Sequence, residues 1–227
     1  MIGMVDKMNY VLILNLWVMI CALIGFIYGG KQFFKPKKPI VMQIITCAVA
    51  CLMYARLFHV IFFLVHEGKD LALDISVFGL AGSLLFILSA NYGQMDSLVD
   101  DGSKRFLPTR IIALIAPVIV IASYVFLFIN VDVTMLRIEM GIVIVFMIPC
   151  VYYSLKHIII FDVSLGIIRS MRLYNTLALL YAMSELVEFF GEYLDIEPLY
   201  IGSMVFQGLV ALAIIPAAKK GVIKWTI

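Results

Sequence analysis

Seven long apolar runs constrain this chain more than any other feature. Their approximate limits are Tyr10–Tyr28, Ile40–Val65, Ile75–Tyr92, Ile111–Ile129, Met140–Ile160, Tyr174–Leu194 and Leu199–Ala217. Crossing a bilayer core takes ~20 apolar residues as a helix. In lipid the backbone must bond within its own segment, so each run predicts a helix. The runs are continuously apolar rather than alternating, which excludes a membrane barrel. Turn or charge signals separate them: Gly29-Gly30, Pro36 and Pro39, the segment from Glu67 to Asp70, the segment from Asp101 to Lys104, and Pro198.

Composition agrees with this reading. Of 227 residues, 64% are hydrophobic and only 14% are charged, where a soluble domain carries ~25% charge. That balance excludes a disordered chain, a nucleic-acid-binding module and an ordinary cytosolic enzyme. The expected class is all-α: residues 1–227 as one transmembrane domain, a bundle of seven helices with no separate soluble domain. Any output module would be another chain. The first run is longer than a signal-peptide core and no small-residue cleavage site closes it, so it reads as a retained helix. Cys21, Cys47, Cys51 and Cys150 all fall inside apolar runs and read as small hydrophobes.

The basic residues set an orientation. Lys31, Lys35, Lys37, Lys38, Lys104, Arg105, Arg110, Lys156, Arg169, Arg172, Lys219, Lys220 and Lys224 fall on one side of the threaded chain, which is 13 of the 17 basic residues. Lys7, Lys69 and Arg137 fall on the other, and Arg56 lies inside a span. The positive-inside rule then predicts the N-terminus outside and the C-terminus in the cytoplasm of a multi-pass cell-membrane protein. Glu67, Asp70, Asp74, Asp132, Asp195 and Glu197 lie outside in this scheme. Asp96, Asp100 and Asp101 are a cytoplasmic exception.

Spans two and six share a pattern. Leu52, Tyr54, Ala55, Phe62 and Phe63 recur as Leu179, Tyr181, Ala182, Phe189 and Phe190 at an offset of 127. Tyr28 and Lys31 likewise match Tyr153 and Lys156, and Val77-Phe78 matches Val205-Phe206. The pattern predicts a parallel repeat of residues 10–92 and 136–217, linked by the helix at 111–129. That three-plus-one-plus-three plan resembles the topology of sugar and vitamin transporters of the SWEET and PnuC type, and of the KDEL receptor. The resemblance is one of topology; the proline-glutamine motif of PQ-loop relatives is absent. Span seven has no mid-helix lysine, so a retinal Schiff base is not expected.

Ionisable groups at membrane depth are the best functional clue in such a chain. Arg56 and His59 are three apart on span two, and His66 follows at its end. Glu185, Glu188 and Glu192 follow one face of span six at spacings of three and four. At 1.5 Å per residue, Arg56 and the glutamates fall at similar depth in the outer half of the bilayer. A charge at mid-membrane costs ~2.5–3.5 kcal/mol, so Arg56 is expected to meet Glu185 or Glu188 inside the bundle. One arginine cannot neutralise three glutamates. At least one of them must be protonated, face water or bind a cation. The candidate ligand-binding or ion-relay residues are therefore Arg56, His59, Glu185, Glu188 and Glu192, with Tyr54 and Tyr181 from the matching spans.

Several readings follow for that cluster. It is a structural polar seam, a pocket for a small molecule, ion or proton, or a metal site using His59, His66 and the glutamates. No HExxH or other dense ligand motif supports the last, and no metal or cofactor is expected. Ser83, Ser89, Asn91, Gln207, Ser203 and Asn15 are candidates to line a cavity or bond across helices. Pro117 and Pro149 predict kinks. The segment from Ser89 to Gly102 is expected to be a solvated loop whose acids pair with Lys104 and Arg105, or else a docking or gating element.

The leading expectation is a transporter of a small molecule or ion. The alternatives are a receptor or sensor subunit signalling to a cytoplasmic partner, and a membrane-embedded metal-dependent lipid hydrolase. The expected partners are the lipid bilayer and the ligand, with homo-oligomers open and nucleic acid excluded.

Overall fold

Continuous apolar sequence gives continuous helix. A computed structural model describes residues 2–33, 40–65, 74–96, 100–131, 134–160 and 167–225. Helices α1 (Ile2–Phe33) and α2 (Ile40–Val65) are followed by α3 (Ser76–Leu88), which runs into a π-helical turn at Ser89–Asp96. A short 3-10 turn, Lys104–Phe106, leads into α4 (Leu107–Ala113) and α5 (Ile115–Asn130). Then come α6 (Thr134–Ile159), α7 (Ile167–Tyr193) and α8 (Glu197–Trp225). No strand occurs among the described residues. His66, Glu67, Lys69, Asp70, Asp132 and the lysines at 35, 37 and 38 lie outside the described residues.

Six segments are long and apolar enough to cross a membrane: Tyr10–Lys31, Ile40–Val65, Ser76–Gly93, Lys104–Asn130, Thr134–Ile159 and Glu197–Ile223. Helix α7 is long enough, at 27 residues. It is not among the six, and it carries Asn175, Ser184, Glu185, Glu188 and Glu192. Large apolar side chains point away from the protein, among them Ile13, Val65, Val118, Ile129 and Val145 at 62–69% exposed. So broad an apolar exterior is stable against lipid and not against water. The chain is an all-helical protein of multi-pass membrane type.

The helices form a closed ring. Helix α1 packs on α2 and α8, α2 on α3, α3 on α6, α6 on α7, and α7 on α8, while α5 lies against α6 outside the ring. The core between them is filled by Val18, Ile45, Leu52, Leu84, Ile87, Met147, Ala178, Met204 and Ile215. Close approach fixes two of the contacts. A side chain at Gly191 would strike the Tyr200 backbone, so α7 and α8 meet there. At Gly208 it would strike the Trp17 indole, whose Nε1 donates to the Val205 carbonyl at 3.3 Å.

The predicted helix ends move outward. Helices α1, α6, α7 and α8 continue past their apolar stretches, because nothing in the flanking polar residues stops the backbone ladder. Span four is broken as Pro117 predicts: its ring excludes the Ala113 carbonyl four residues back, and the helix is interrupted at Leu114, between α4 and α5. Helix α6 continues through Pro149, and α8 through Pro216.

Candidate functional site

The α7–α8 turn defines one end of the bundle, here the hairpin end. Helix α7 closes there with paired backbone bonds: Ile196 N–H donates to the Gly191 carbonyl at 2.8 Å and Asp195 N–H to Glu192 at 3.4 Å. Asp195 takes the left-handed conformation this cap requires (φ 56°). The tight turn sets Tyr200 of α8 beside the end of α7. The other end, where α3 runs into its π turn, is the π end.

Within the hairpin half, Arg56 of α2 grips Glu188 of α7 with both terminal nitrogens, Nη1 to Oε1 at 2.8 Å and Nη2 to Oε2 at 2.6 Å. Such a fork is the strongest ion-pair geometry available to a carboxylate. Gln207 of α8 locks it. Its carbonyl accepts from Arg56 Nη2 at 2.6 Å, and its amide donates to Glu188 Oε2 at 2.6 Å. Asn15 of α1 accepts from Arg56 Nη1 at 3.3 Å, and its amide nitrogen faces the Tyr200 hydroxyl at 3.5 Å. Four helices thus supply one network, and Arg56, Glu188, Gln207 and Asn15 are all buried. The helical spacings predicted that Arg56 would meet the glutamates, and Glu188 is its main partner.

Glu185 stands differently. It is 0% exposed. One oxygen lies 3.5 Å from Arg56 Nη2, and the other has no hydrogen-bond partner among the described residues. Tyr181, one turn along α7, is buried, and its hydroxyl also lacks a partner there.

Toward the surface the network opens into a cavity of about 60 Å³, lined by Arg56, His59, Asp74, Glu139, Glu188, Glu192 and Tyr200 among others. His59 Nδ1 lies 2.6 Å from Asp74 Oδ2. The Asp74 backbone N–H donates to Glu139 at 2.7 Å, and the other Asp74 oxygen caps α3 by accepting from Ser76 N–H at 2.8 Å. Burial works to raise the Asp74 carboxyl, but the bonds from His59 and Ser76 outweigh it and hold Asp74 below the ordinary range. Glu192 is exposed at the rim. Of the sequence candidates, Arg56, His59, Glu188 and Glu192 line the cavity, and Glu185 and Tyr181 sit beneath it. Tyr54 does not join them: it is 59% exposed on the outer face of α2, in a surface groove with Phe58 and Phe78.

The spacings missed Asp74, Glu139 and Tyr200. Each lies near a helix start rather than mid-span, and each reaches the cavity from a different element. Asn15 and Gln207 were visible only as isolated polar residues in apolar runs.

The π end holds a second network, one the sequence reading paired wrongly. Among the described residues the acids do not turn to Lys104 and Arg105. Lys156 of α6 bonds Asp96 at 2.6 Å and Asp100 at 2.7 Å, Arg110 Nε bonds Asp100 at 2.7 Å, and His157 Nε2 lies 3.2 Å from Asp96. The physical reason is the π turn. It carries Asn91 inward onto Ser154 at 3.0 Å, and Asp96 onto the end of α6. The hydrogen bond from Arg110 and the Lys156 ammonium hold Asp100 well below the usual carboxylate range.

Among the described residues no three His, Cys, Asp or Glu side chains converge as a metal-binding group. No known family model matches the chain, and no curated protein or solved structure is detectably similar to it.

Proposed function

We propose that this chain is a membrane transporter for a small cation, a proton or a monovalent inorganic ion, which enters through the hairpin-end cavity. In this reading α7 crosses the membrane as a seventh span, the hairpin end faces outside, and the two halves are the parallel repeat that their shared pattern predicts. One observation carries it: a cavity lined by Asp74, Glu139, Glu188 and Glu192 against one arginine and one histidine. Charge of one sign in a low-dielectric cleft concentrates ions of the other sign.

Size selects among ligands. A cavity of about 60 Å³ matches a few waters or one small ion, where sites for drug-sized molecules run to ~300–1,000 Å³. A sugar-sized substrate does not fit. The sensor reading rested on free cytoplasmic acids, and Asp96 and Asp100 are occupied internally. The hydrolase reading finds no converging ligand set to support it.

The test is flux into proteoliposomes carrying a dye for pH or for the monovalent cation supplied. The wild-type chain is expected to take up proton, Na⁺ or K⁺ and to exclude glucose. Glu188→Gln is expected to cut the rate at least tenfold. Glucose uptake, or unchanged ion flux in Glu188→Gln, refutes the proposal.

A further inference from the structure

We infer that Glu185 is a proton-binding site, holding a neutral carboxyl beneath the cavity and reached from it through the Arg56–Glu188 pair. This rests on the cation-transport reading above and names the ion held at the cavity's inner end.

A carboxylate inside a membrane protein has four ways to be tolerated: an ion pair, water, a bound cation, or a proton. The three glutamates of α7 divide these between them. Glu188 takes the ion pair, with both oxygens on Arg56 and one also on Gln207. Glu192 is exposed at the rim and open to the cavity. Glu185 has neither. Its nearest cation, Arg56 Nη2, is already committed at 2.6 Å to both Glu188 and Gln207 and stands off at 3.5 Å. It does not line the cavity, and no converging ligand group exists among the described residues to share a metal ion. A proton is what remains. A neutral carboxyl removes the buried charge and gives the orphaned oxygen an O–H that can donate.

A second observation points the same way. The Tyr181 hydroxyl, 2% exposed, makes no hydrogen bond within 3.5 Å, with Ser83 and Glu185 as the polar groups beside it. It borders a void of about 10 Å³ that also touches Ser83. That is about the space of one water, and buried polar groups without partners mark such a place. A water there would bond Tyr181 and Ser83 and extend the hydrogen bonding below Glu185.

The site is closed on its other side. The rest of that void is Ala48, Val49, Leu52, Ile87, Val210, Ala211 and Ile214. Below Tyr181 the next polar groups on this helix are Thr176, Asn175 and Tyr174, five to seven residues away, roughly 8–10 Å. A proton on Glu185 is therefore exchangeable with the cavity and held back from the π end. The groups beside it are Arg56 on α2 and Tyr181 and Glu188 on α7, and the cavity above adds His59, Asp74, Glu139, Glu192 and Tyr200. Only Arg56 and His59 among them are basic. Binding is the simple gain of a proton by one Glu185 oxygen, with no other bond broken.

Infrared spectroscopy of the full chain in lipid tests this directly. At neutral pH the wild type should show the C=O stretch of a protonated carboxyl, shifting down in D₂O and vanishing on alkaline titration. The band should be lost in Glu185→Gln, which is nearly isosteric with the neutral acid, and kept in Glu192→Gln. A band that survives Glu185→Gln, or no band in the folded wild type, overturns the inference. The wild-type titration needs no variant to fold. A Glu185 band without ion flux refutes the transport reading and leaves the proton site standing; flux without the band does the reverse.

Discussion

The two ends of the bundle each hold a buried ion network, and they balance their charges differently. At the π end Asp96 and Asp100 meet Lys156 and Arg110, two acids against two bases, with His157 alongside. At the hairpin end Glu188, Glu192, Asp74 and Glu139 line a cavity with one arginine and one histidine, and Glu185 lies beneath it. A balanced network is a clamp. An unbalanced one beside a cavity is suited to draw in a cation. Buried ion pairs are weak evidence of stability; the surplus, rather than the pairing, marks the hairpin end as the working site.

Breaking the hairpin pair should have the largest effect on stability. Arg56→Gln leaves Glu188 ionised and unpaired among four helices, a change that costs ~3–5 kcal/mol where it has been measured in protein interiors. Denaturation in mild detergent should show it, and the double variant Arg56→Gln/Glu188→Gln should recover much of the loss. A double variant no better than the single one would mean that the fork geometry is not what holds α2 to α7.

The π end should respond less. Lys156→Gln removes two charged bonds but leaves Asp100 on Arg110 and Asp96 near His157, so neither acid is stranded and the loss should be ~1.5–3 kcal/mol. The same unfolding assay reads it, and a loss equal to that of Arg56→Gln would erase the contrast between the ends.

Acid gives the smallest and most specific effect. Asp96, Asp100 and Asp74 are all held below their ordinary values in the folded chain: Asp96 by His157 and Lys156 against the pull of burial, Asp100 by Arg110 first. A carboxyl depressed on folding contributes stability above its unfolded value, ~3.9 for Asp, and loses it as pH falls through the folded value. These pairs are therefore expected to hold unchanged from neutral pH down to about pH 4 and to weaken only below. Unfolding midpoints measured against pH check this, and a loss between neutrality and about pH 5 would contradict it for Asp100 above all.

Much of this was legible in the residues themselves. The apolar runs fixed the helices, and spacings of three and four on α2 and α7 brought Arg56 to Glu188 at matching depth. The cavity was not legible, because its remaining walls come from residues far apart in sequence. Asp74 and Glu139 read as ordinary end-of-span acids, and only the packing of α3 on α6 joins them. Which glutamate would take the two-pronged pair was equally hidden. Glu185 and Glu188 are three apart on one face, and Gln207 from α8 decides between them. At the π end, Lys156 looked like a positive-inside marker. The π turn, which no periodicity announces, makes it a buried partner instead. Tyr54 shows the opposite error: it matches Tyr181 in the sequence pattern, yet the two face opposite ways, one to the exterior and one to the core.

The most direct measurement of the contrast is ion flux in proteoliposomes for Glu188→Gln and Asp100→Asn side by side, at equal reconstituted protein. The account predicts at least a tenfold loss for Glu188→Gln and a rate within about twofold of wild type for Asp100→Asn. Equal losses in both, or a loss confined to Asp100→Asn, would contradict it.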